Sequence, residues 1–138
     1  MLNVNDAATV ERILQLHRIA VVGISADPSR PSHEVASYLR RVGYEILPVN
    51  PGLTNWEGLA CHPNLTAVPP PVEVVDIFRR SDQVGPIVDE AIAIGARAIW
   101  MQMGVIDEAA AARARAAGLL VVMDRCMLRE HAKLKTKD

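Results

Sequence analysis

The sequence predicts an α/β fold in which a parallel sheet of five strands is covered by helices on both faces. Short apolar segments rich in Val and Ile alternate along the chain with longer amphipathic segments, and glycines stand where the longer segments end. Strands buried on both faces of a parallel sheet read as nearly continuous apolar runs. A strand, a helix and a further strand in succession are joined by a right-handed crossover. The prediction is therefore a doubly wound, three-layered domain.

The individual elements follow from these two kinds of segment. Apolar positions that recur every three or four residues, as at Val35, Ala36 and Leu39, indicate amphipathic helices. Asp6, Ser32, Ser81 and Asp107 stand where side-chain oxygens can cap the first N–H groups. The predicted strands are 19–24, 44–49, 72–78, 97–101 and 119–123, and the predicted helices are 7–17, 32–42, 82–94 and 108–117. The predicted strand order is 3-2-1-4-5, which puts the reversal, and with it the ligand crevice, between the first and fourth strands.

Length and composition exclude several classes of protein. A chain of 138 residues suits one domain, spanning 1–138. Its 50% apolar and 22% charged residues exclude a disordered or low-complexity chain. A net charge of −1 gives no overall attraction to nucleic acid or to acidic membranes, and no apolar run is long enough to span a bilayer. We expect a cytoplasmic protein without a signal peptide or a metal site, its cysteines reduced.

The loop after the first predicted strand is the first candidate for ligand binding. Gly23, Ile24 and Ser25 lead toward Arg30, Pro31 and Ser32, where a helix begins. A glycine lets a ligand approach the backbone, and a helix N-terminus attracts an anion. The dinucleotide fingerprint GxGxxG is absent. The alternative interpretation is a strand-to-helix turn that binds nothing.

The ends of the second and third strands carry different chemistry. Val49, Asn50 and Pro51 stand where a nicotinamide-binding domain would place a carboxylate for the ribose hydroxyls, which disfavours NAD. Phe78, Arg79 and Arg80 follow the third strand, where an arginine fork suits a phosphate and the ring could flank a base. The alternatives are a turn begun by Asn-Pro, and solvated arginines beside a core phenylalanine.

The fourth and fifth strands complete the predicted crevice. Met101, Gln102 and Gly104 end the fourth strand and would form an adaptable wall, whereas Cys126 follows the fifth. Packing in the core is the alternative for the methionine and the cysteine. No combination of a nucleophile, a base and an orienting group is visible, so we expect no catalytic residues.

Six short motifs at these strand ends together resemble a known family. VVGIS, RPS, VNP, DIFRR, WMQMG and VVMDRC occur in this order. The set resembles the small bacterial CoA-binding protein family, which is similar to the N-terminal CoA-binding domain of the succinyl-CoA synthetase α subunit. The resemblance extends over residues 13–131. It implies a Rossmann-like domain that binds coenzyme A across the first and fourth strands.

The resemblance also implies a role for each strand end. The loop after the first strand would approach the CoA phosphates, and the end of the second strand would shape the adenosine side of the site. The end of the third strand would close one edge of the site, and the end of the fourth strand would line its opposite wall. The cysteine after the fifth strand would stand near the CoA thiol. The residues carried over in this way are Gly23, Ile24, Ser25, Asn50, Pro51, Phe78, Arg79, Met101, Gln102, Gly104 and Cys126.

Two departures from the ligase domain argue against ligase activity. The first loop of this chain is poorer in glycine, and 138 residues leave no room for the domain that carries a phosphorylated histidine. We therefore predict a non-catalytic protein that binds CoA or a short acyl-CoA through phosphate-binding arginines, an aromatic ring and an apolar wall. Two alternatives stay open. One is a subunit that supplies the CoA site to an unidentified protein partner in a split acyl-CoA ligase, and the other is an NAD-linked or CoA-dependent enzyme acting alone.

Overall fold

The computed structural model describes residues 4–136, and its main sheet contains five parallel strands. Between the second and third of these, a short antiparallel hairpin of two strands occupies the proline-rich connection. In chain order the strands are β1 (Arg18–Val22), β2 (Glu45–Val49), β3 (Asn55–Trp56), β4 (Leu59–Ala60), β5 (Val74–Ile77), β6 (Ala98–Met101) and β7 (Leu120–Val122).

Helices cover both faces of the sheet. One core layer lies under α3 and α4, and the other lies under α1, α2 and the first turn of α5. The helices are α1 (Ala7–Leu14), α2 (Pro31–Arg41), α3 (Val84–Ala93), α4 (Glu108–Ala116) and α5 (Met127–Thr136). The three-layered, doubly wound prediction is thus confirmed, and α5 is an addition whose bounds the sequence analysis did not assign. No helix within residues 4–136 has the length and apolar character needed to cross a bilayer.

The predicted strand order was wrong about the third strand of the main sheet. The observed order is β2-β1-β5-β6-β7, so β5 pairs with β1 instead of lying outside β2. The outer edge of β2 is already occupied, because His62 N donates to Pro48 O at 3.0 Å and Asn50 N donates to His62 O at 2.9 Å. Pro48 lacks an N–H and therefore suits an edge strand. The strand order reverses between β1 and β5, which moves the expected crevice to that point.

Helix starts show which polar residues act as caps. Asp6 and Asp107 accept backbone hydrogen bonds at the starts of α1 and α4, as predicted. Ser32 is not a cap, because α2 begins one residue earlier at Pro31, whose fixed φ suits the first helical position. Its hydroxyl oxygen instead accepts from Ser25 N at 3.0 Å. The residue predicted as a cap therefore ties the β1–α2 loop to its helix.

Candidate functional site

The carboxyl ends of β1, β5 and β6 open into a cavity of about 910 Å³. Its walls come from the loops after β1, β2, β5 and β6, from the first turns of α2 and from the start of α5. Pockets for small molecules usually measure about 300–1,000 Å³. The cavity lies where the strand order reverses, the place at which open α/β sheets bind ligands.

Gly23 begins the cavity wall and is required by packing. Its φ is +86°, and a Cβ added there would lie 2.3 Å from the carbonyl oxygen of Phe78. Its backbone N–H donates to Val49 O at 2.9 Å. The close approach of the chain after β5 therefore requires a glycine here. Gly23 also lines the cavity, so the ligand approach expected from the sequence stays a prediction.

The rest of the first loop is held from several sides. Ile24 is fully buried, whereas Arg30 and Pro31 are exposed at the mouth, and all three line the cavity. Ser25 also lines it, and its carbonyl oxygen accepts from Trp56 Nε1 at 2.9 Å. Trp56 belongs to the short hairpin formed by β3 and β4. The loop between β1 and α2 therefore forms a fixed wall.

Asn50 joins the first two loops. Its Nδ2 donates to Ile24 O at 2.7 Å, and its Oδ1 accepts from Gly52 N at 2.8 Å. Both polar atoms of the side chain are therefore engaged within the protein, although the residue lines the cavity. Its two neighbours were also predicted as site residues and do not line it: Val49 is packed in the core and Pro51 is exposed.

Three arginines from different elements line the cavity. Arg30 precedes α2, Arg79 follows β5, and Arg129 lies in α5. Within residues 4–136 none of the three forms an ion pair with a carboxylate. The predicted pair after the third strand is separated, because Arg80 does not line the cavity and its side chain is 78% exposed beside Asp82. Arginines that are not engaged in an ion pair can bind an anionic ligand.

A buried hydrogen bond supports the wall at the end of β6. Gln102 lines the cavity and is only 3% exposed, and its Nε2 donates to Asp76 Oδ1 at 2.6 Å. Asp76 is wholly buried, and its Oδ2 has no hydrogen-bond partner in the described part of the chain. Burial raises the pKa of Asp76 to about 7, and the bond from Gln102 opposes this shift. Asp76 was not among the predicted site residues.

In the loop after β6, the methionine that lines the cavity is Met103 and not the predicted Met101. Met101 is fully buried in the core under α3 and α4, so it does not line the cavity. Met103, two residues further on, lines the cavity and is 54% exposed. Gly104 also lines it, with φ at +84°, and its N–H donates to Asp124 Oδ1 at 2.7 Å. Ser81, predicted as a helix cap, holds this loop by accepting from Ile106 N at 2.9 Å.

Cys126 lies at the start of α5 and lines the cavity while half-buried. The segment before it is anchored, because Trp100 Nε1 donates to Arg125 O at 2.9 Å and Arg125 N donates to Met101 O at 3.3 Å. The other cysteine, Cys61, is buried, and burial raises the pKa of its thiol.

Sequence reasoning missed nine lining residues, which lie in the loops after β1, β2 and β6, in α2 and in α5. Their sequence signal is position: Met103 lies inside WMQMG, and the others come shortly after one of the identified motifs, as Leu53 follows VNP and Arg129 follows VVMDRC. The missed lining residues are Ala26, Glu34, Val35, Gly52, Leu53, Met103, Val105, Leu128 and Arg129.

Comparisons with known proteins agree with this architecture. The family described as CoA binding domain matches residues 17–132. The protein named "Uncharacterized protein YneT" of Bacillus subtilis (strain 168) is 36% identical over 135 residues, covering 98% of this chain and all of that protein. The solved structure of a hypothetical protein from Pyrococcus horikoshii OT3 superposes with a TM-score of 0.91 at 34% identity, covering 98% of each chain.

A larger enzyme contains a similar domain. The dinucleotide forming acetyl-coenzyme A synthetase 1 of Ca. Korarchaeum cryptofilum, solved with phosphate and ADP, is 28% identical with a TM-score of 0.75. The match covers 83% of this chain and 27% of the synthetase chain. The resemblance seen in the sequence motifs is thereby confirmed: this chain belongs to the CoA binding domain family.

Proposed function

We propose that this protein binds coenzyme A, or a short acyl-CoA, in the cavity at the carboxyl ends of β1, β5 and β6, and that it does so without catalytic residues of its own. The observation that carries the proposal is that Arg30, Arg79 and Arg129 line one cavity and that none of them forms an ion pair with a carboxylate in residues 4–136. The pKa of the Asp27 carboxylate is lowered chiefly by a hydrogen bond from the backbone, and the charge of Arg30 helps to lower it. Coenzyme A combines a diphosphate and a 3′-phosphate with an adenine ring and a thin pantetheine arm.

The phosphates fit the cationic mouth of the cavity. Arg30 stands at the N-cap of α2 and no side chain caps that helix, so its first N–H groups and its dipole favour an anion. Arg79 Nε lies 3.2 Å from where a Cβ on Gly23 would be, so its side chain lies over the first loop. Charge-assisted hydrogen bonds from arginine to phosphate are among the stronger polar contacts. Glu34 also lines the mouth and would oppose an anion placed directly beside it.

The pantetheine arm and the adenine ring fit the apolar part of the wall. Phe78 is half-buried and lines the cavity, as do Leu53 and Leu128. Met103 is exposed at the same wall, and its flexible thioether adapts to irregular ligands. Aliphatic and aromatic side chains beside a few polar groups are typical of cofactor sites. Cys126 would stand near the thiol end of the arm.

A binding role is supported by the ionisable groups around the cavity. In the described part of the chain the lining residues include one carboxylate, Glu34, and one thiol, Cys126. No hydrogen bond joins these two side chains within residues 4–136. A nucleophile would need a base within hydrogen-bond reach, so this pair does not support catalysis by the chain itself.

A subunit that supplies the CoA site to a partner protein is the second candidate. Its support is the similarity to a domain that makes up 27% of the acetyl-coenzyme A synthetase chain. Met103 and Ile106 are exposed apolar side chains beside the cavity, where a partner could bring a substrate. Purification of the protein from its native cells, followed by identification of any stoichiometric companion, distinguishes a subunit from a free binder.

Thermal unfolding with a panel of ligands tests the proposed function. CoA and acetyl-CoA should raise the melting temperature, whereas NAD should not, because Asn50 stands where NAD sites place a carboxylate. FAD and ATP complete the panel, and their shifts should be smaller than the shift with CoA. At a hundredfold excess over Kd, binding stabilises the folded state by about 2.7 kcal/mol, or about 5–10 °C for a domain of this size. A shift with NAD that equals or exceeds the shift with CoA would overturn the proposal.

A further inference from the structure

The carboxyl group of Asp76 lies behind the cavity wall and is hydrogen-bonded to the side chain of Gln102, which forms part of that wall. Asp76 pairs with Trp100 in the parallel register of β5 and β6, and Gln102 stands two residues after Trp100. Side chains two residues apart on a strand share one face of the sheet. Gln102 Nε2 donates to Asp76 Oδ1 at 2.6 Å, and only Gln102 of the two lines the cavity. The glutamine therefore stands between the buried carboxyl group and the space that a ligand would occupy.

The other end of the Gln102 amide opens to the cavity. No residue in the described range 4–136 donates a hydrogen bond to Gln102 Oε1. The one enclosed side-chain polar atom without a partner in that range is Asp76 Oδ2, so Gln102 Oε1 is not enclosed. Because Gln102 is almost wholly buried and lines the cavity, the accessible side of this oxygen faces the cavity.

The hydrogen bond with Asp76 fixes which end of the Gln102 side-chain amide faces the cavity. Above its pKa of about 7 Asp76 is ionised and can only accept hydrogen bonds, so in that state it must face the NH₂ end of Gln102 and leave the carbonyl end for the cavity. A buried carboxyl group with an unpartnered oxygen costs stability. An apolar side chain at this position would fill the core without that cost, which is an argument that the carboxyl group serves the site.

We propose that Asp76 is a positioning residue that fixes Gln102 Oε1 as a hydrogen-bond acceptor in the cavity, and that this acceptor selects an amide N–H of the pantetheine arm. The inference rests on the proposed function. The arm is favoured over the adenine amino group because Arg125, next to Cys126, is hydrogen-bonded to Met101, next to Gln102. Gln102 and Cys126 thus share one wall, on which the arm would approach the cysteine.

The test compares CoA with adenosine 3′,5′-diphosphate, which keeps the adenosine and the 3′-phosphate but lacks the arm. Calorimetry on folded protein at a pH above 7 should show that Asp76→Asn weakens CoA binding by about threefold to tenfold. The asparagine amide can donate to Gln102 Oε1 and turn this oxygen away from the cavity, and an outward-facing fraction of about one third to one tenth gives that loss. Binding of adenosine 3′,5′-diphosphate should stay within twofold of wild type. Gln102→Met, which removes the acceptor, should give the same pattern. Equal losses for both ligands would overturn the proposal.

A reciprocal exchange distinguishes positioning from a purely structural role. In Asp76→Asn combined with Gln102→Glu, the introduced amide donates to the introduced carboxylate, whose second oxygen again offers an acceptor to the cavity. CoA affinity should recover to within about threefold of wild type, whereas Gln102→Glu alone sets two carboxyl groups against each other and binds more weakly. Absence of recovery in a folded double variant contradicts the proposal.

The same measurements separate this inference from the proposed function. If wild-type protein does not bind CoA, the proposed function fails and the inference fails with it. If wild type binds CoA while Asp76→Asn and Gln102→Met bind it equally well, the positioning role fails and the function stands. If Asp76→Asn does not fold, Gln102→Met is compared with wild type on the two ligands, and this comparison tests the role of the Gln102 acceptor alone. If Gln102→Met then shows no loss that is specific to CoA, the proposed role of the acceptor is overturned.

Discussion

The Cα of Gly23 lies so close to the carbonyl oxygen of Phe78 that an added Cβ would be 2.3 Å from that oxygen. Two strand ends meet here, since Phe78 N donates to Val22 O at 2.9 Å and Gly23 N donates to Val49 O at the same distance. The contact joins the loops after β1, β2 and β5 into one wall. The geometry of the cavity therefore depends on the absence of a side chain at this position.

Replacement of Gly23 by alanine should consequently destabilise the fold. The positive φ and the clash with a backbone oxygen both oppose a Cβ, and we expect a loss of about 2–4 kcal/mol in the free energy of unfolding. Urea unfolding measures this loss. Gly104→Ala is the matched control, because its φ is also positive at +84° but no atom lies within 4 Å of the added Cβ. Equal losses in the two variants would show that the contact with Phe78 contributes nothing.

The two arginines after β5 should contribute differently to CoA affinity. Arg79 lines the cavity, whereas Arg80 is exposed beside Asp82. A charge-assisted hydrogen bond is worth about 1.5–3 kcal/mol, so Arg79→Ala should weaken CoA binding by about tenfold to a hundredfold. Arg80→Ala should leave both affinity and stability nearly unchanged. Titration calorimetry on the two variants checks this, and comparable losses would mean that neither side chain contacts a phosphate specifically.

The titration of Asp76 should make the free energy of unfolding depend on pH. Burial raises the pKa of this carboxyl group in the folded state from its ordinary value of 3.8 to about 7. Between these values the folded state binds a proton that the unfolded state has lost, so stability falls as pH rises from about 4 to about 7. The fall approaches about 1.4 kcal/mol per pH unit where the difference is one proton.

Asp76→Asn removes the titrating group and should flatten that part of the profile. Urea unfolding of wild type and of the variant at several pH values between 4 and 8 makes the comparison. Both proteins retain Glu73, and hydrogen bonds from the backbone of His17 and Arg18 lower the pKa of that carboxyl group. Glu73 therefore adds to stability above its ordinary pKa value of 4.5 and loses that contribution as pH falls below it, and it does so equally in both proteins. Parallel profiles for the two proteins would place the titration elsewhere.

Cys126 should react with CoA disulfide if the thiol end of CoA lies beside it. The thiolate attacks one sulfur, a protein–CoA disulfide forms, and one CoA thiolate leaves. Intact mass spectrometry should show one CoA adduct on wild type and on Cys61→Ser, and none on Cys126→Ser. Cys61 is the control because it is buried and burial raises the pKa of its thiol. An adduct on Cys61 alone would contradict the placement of the thiol.

The sequence by itself determined the class of the fold and the positions of its main elements. The second strand was predicted at 44–49 and is observed at Glu45–Val49, and the fourth was predicted at 97–101 and is observed at Ala98–Met101. Such strands can be predicted from the sequence because both of their faces are buried, so each strand is a nearly continuous run of apolar residues. The motifs at the strand ends also indicated the family, since each lies within a few consecutive residues.

Only the tertiary structure decided which strand edges meet and which side chains face the cavity. The choice between the outer edge of β2 and the free edge of β1 depended on His62, which pairs with β2 from the connection that follows this strand. Pro48 was the local hint of an edge strand. Whether Met101 or Met103 lines the cavity depended on the residue at which β6 ends. Asp76 and Arg129 join the site through contacts between elements far apart in sequence, and local periodicity contains no record of such contacts.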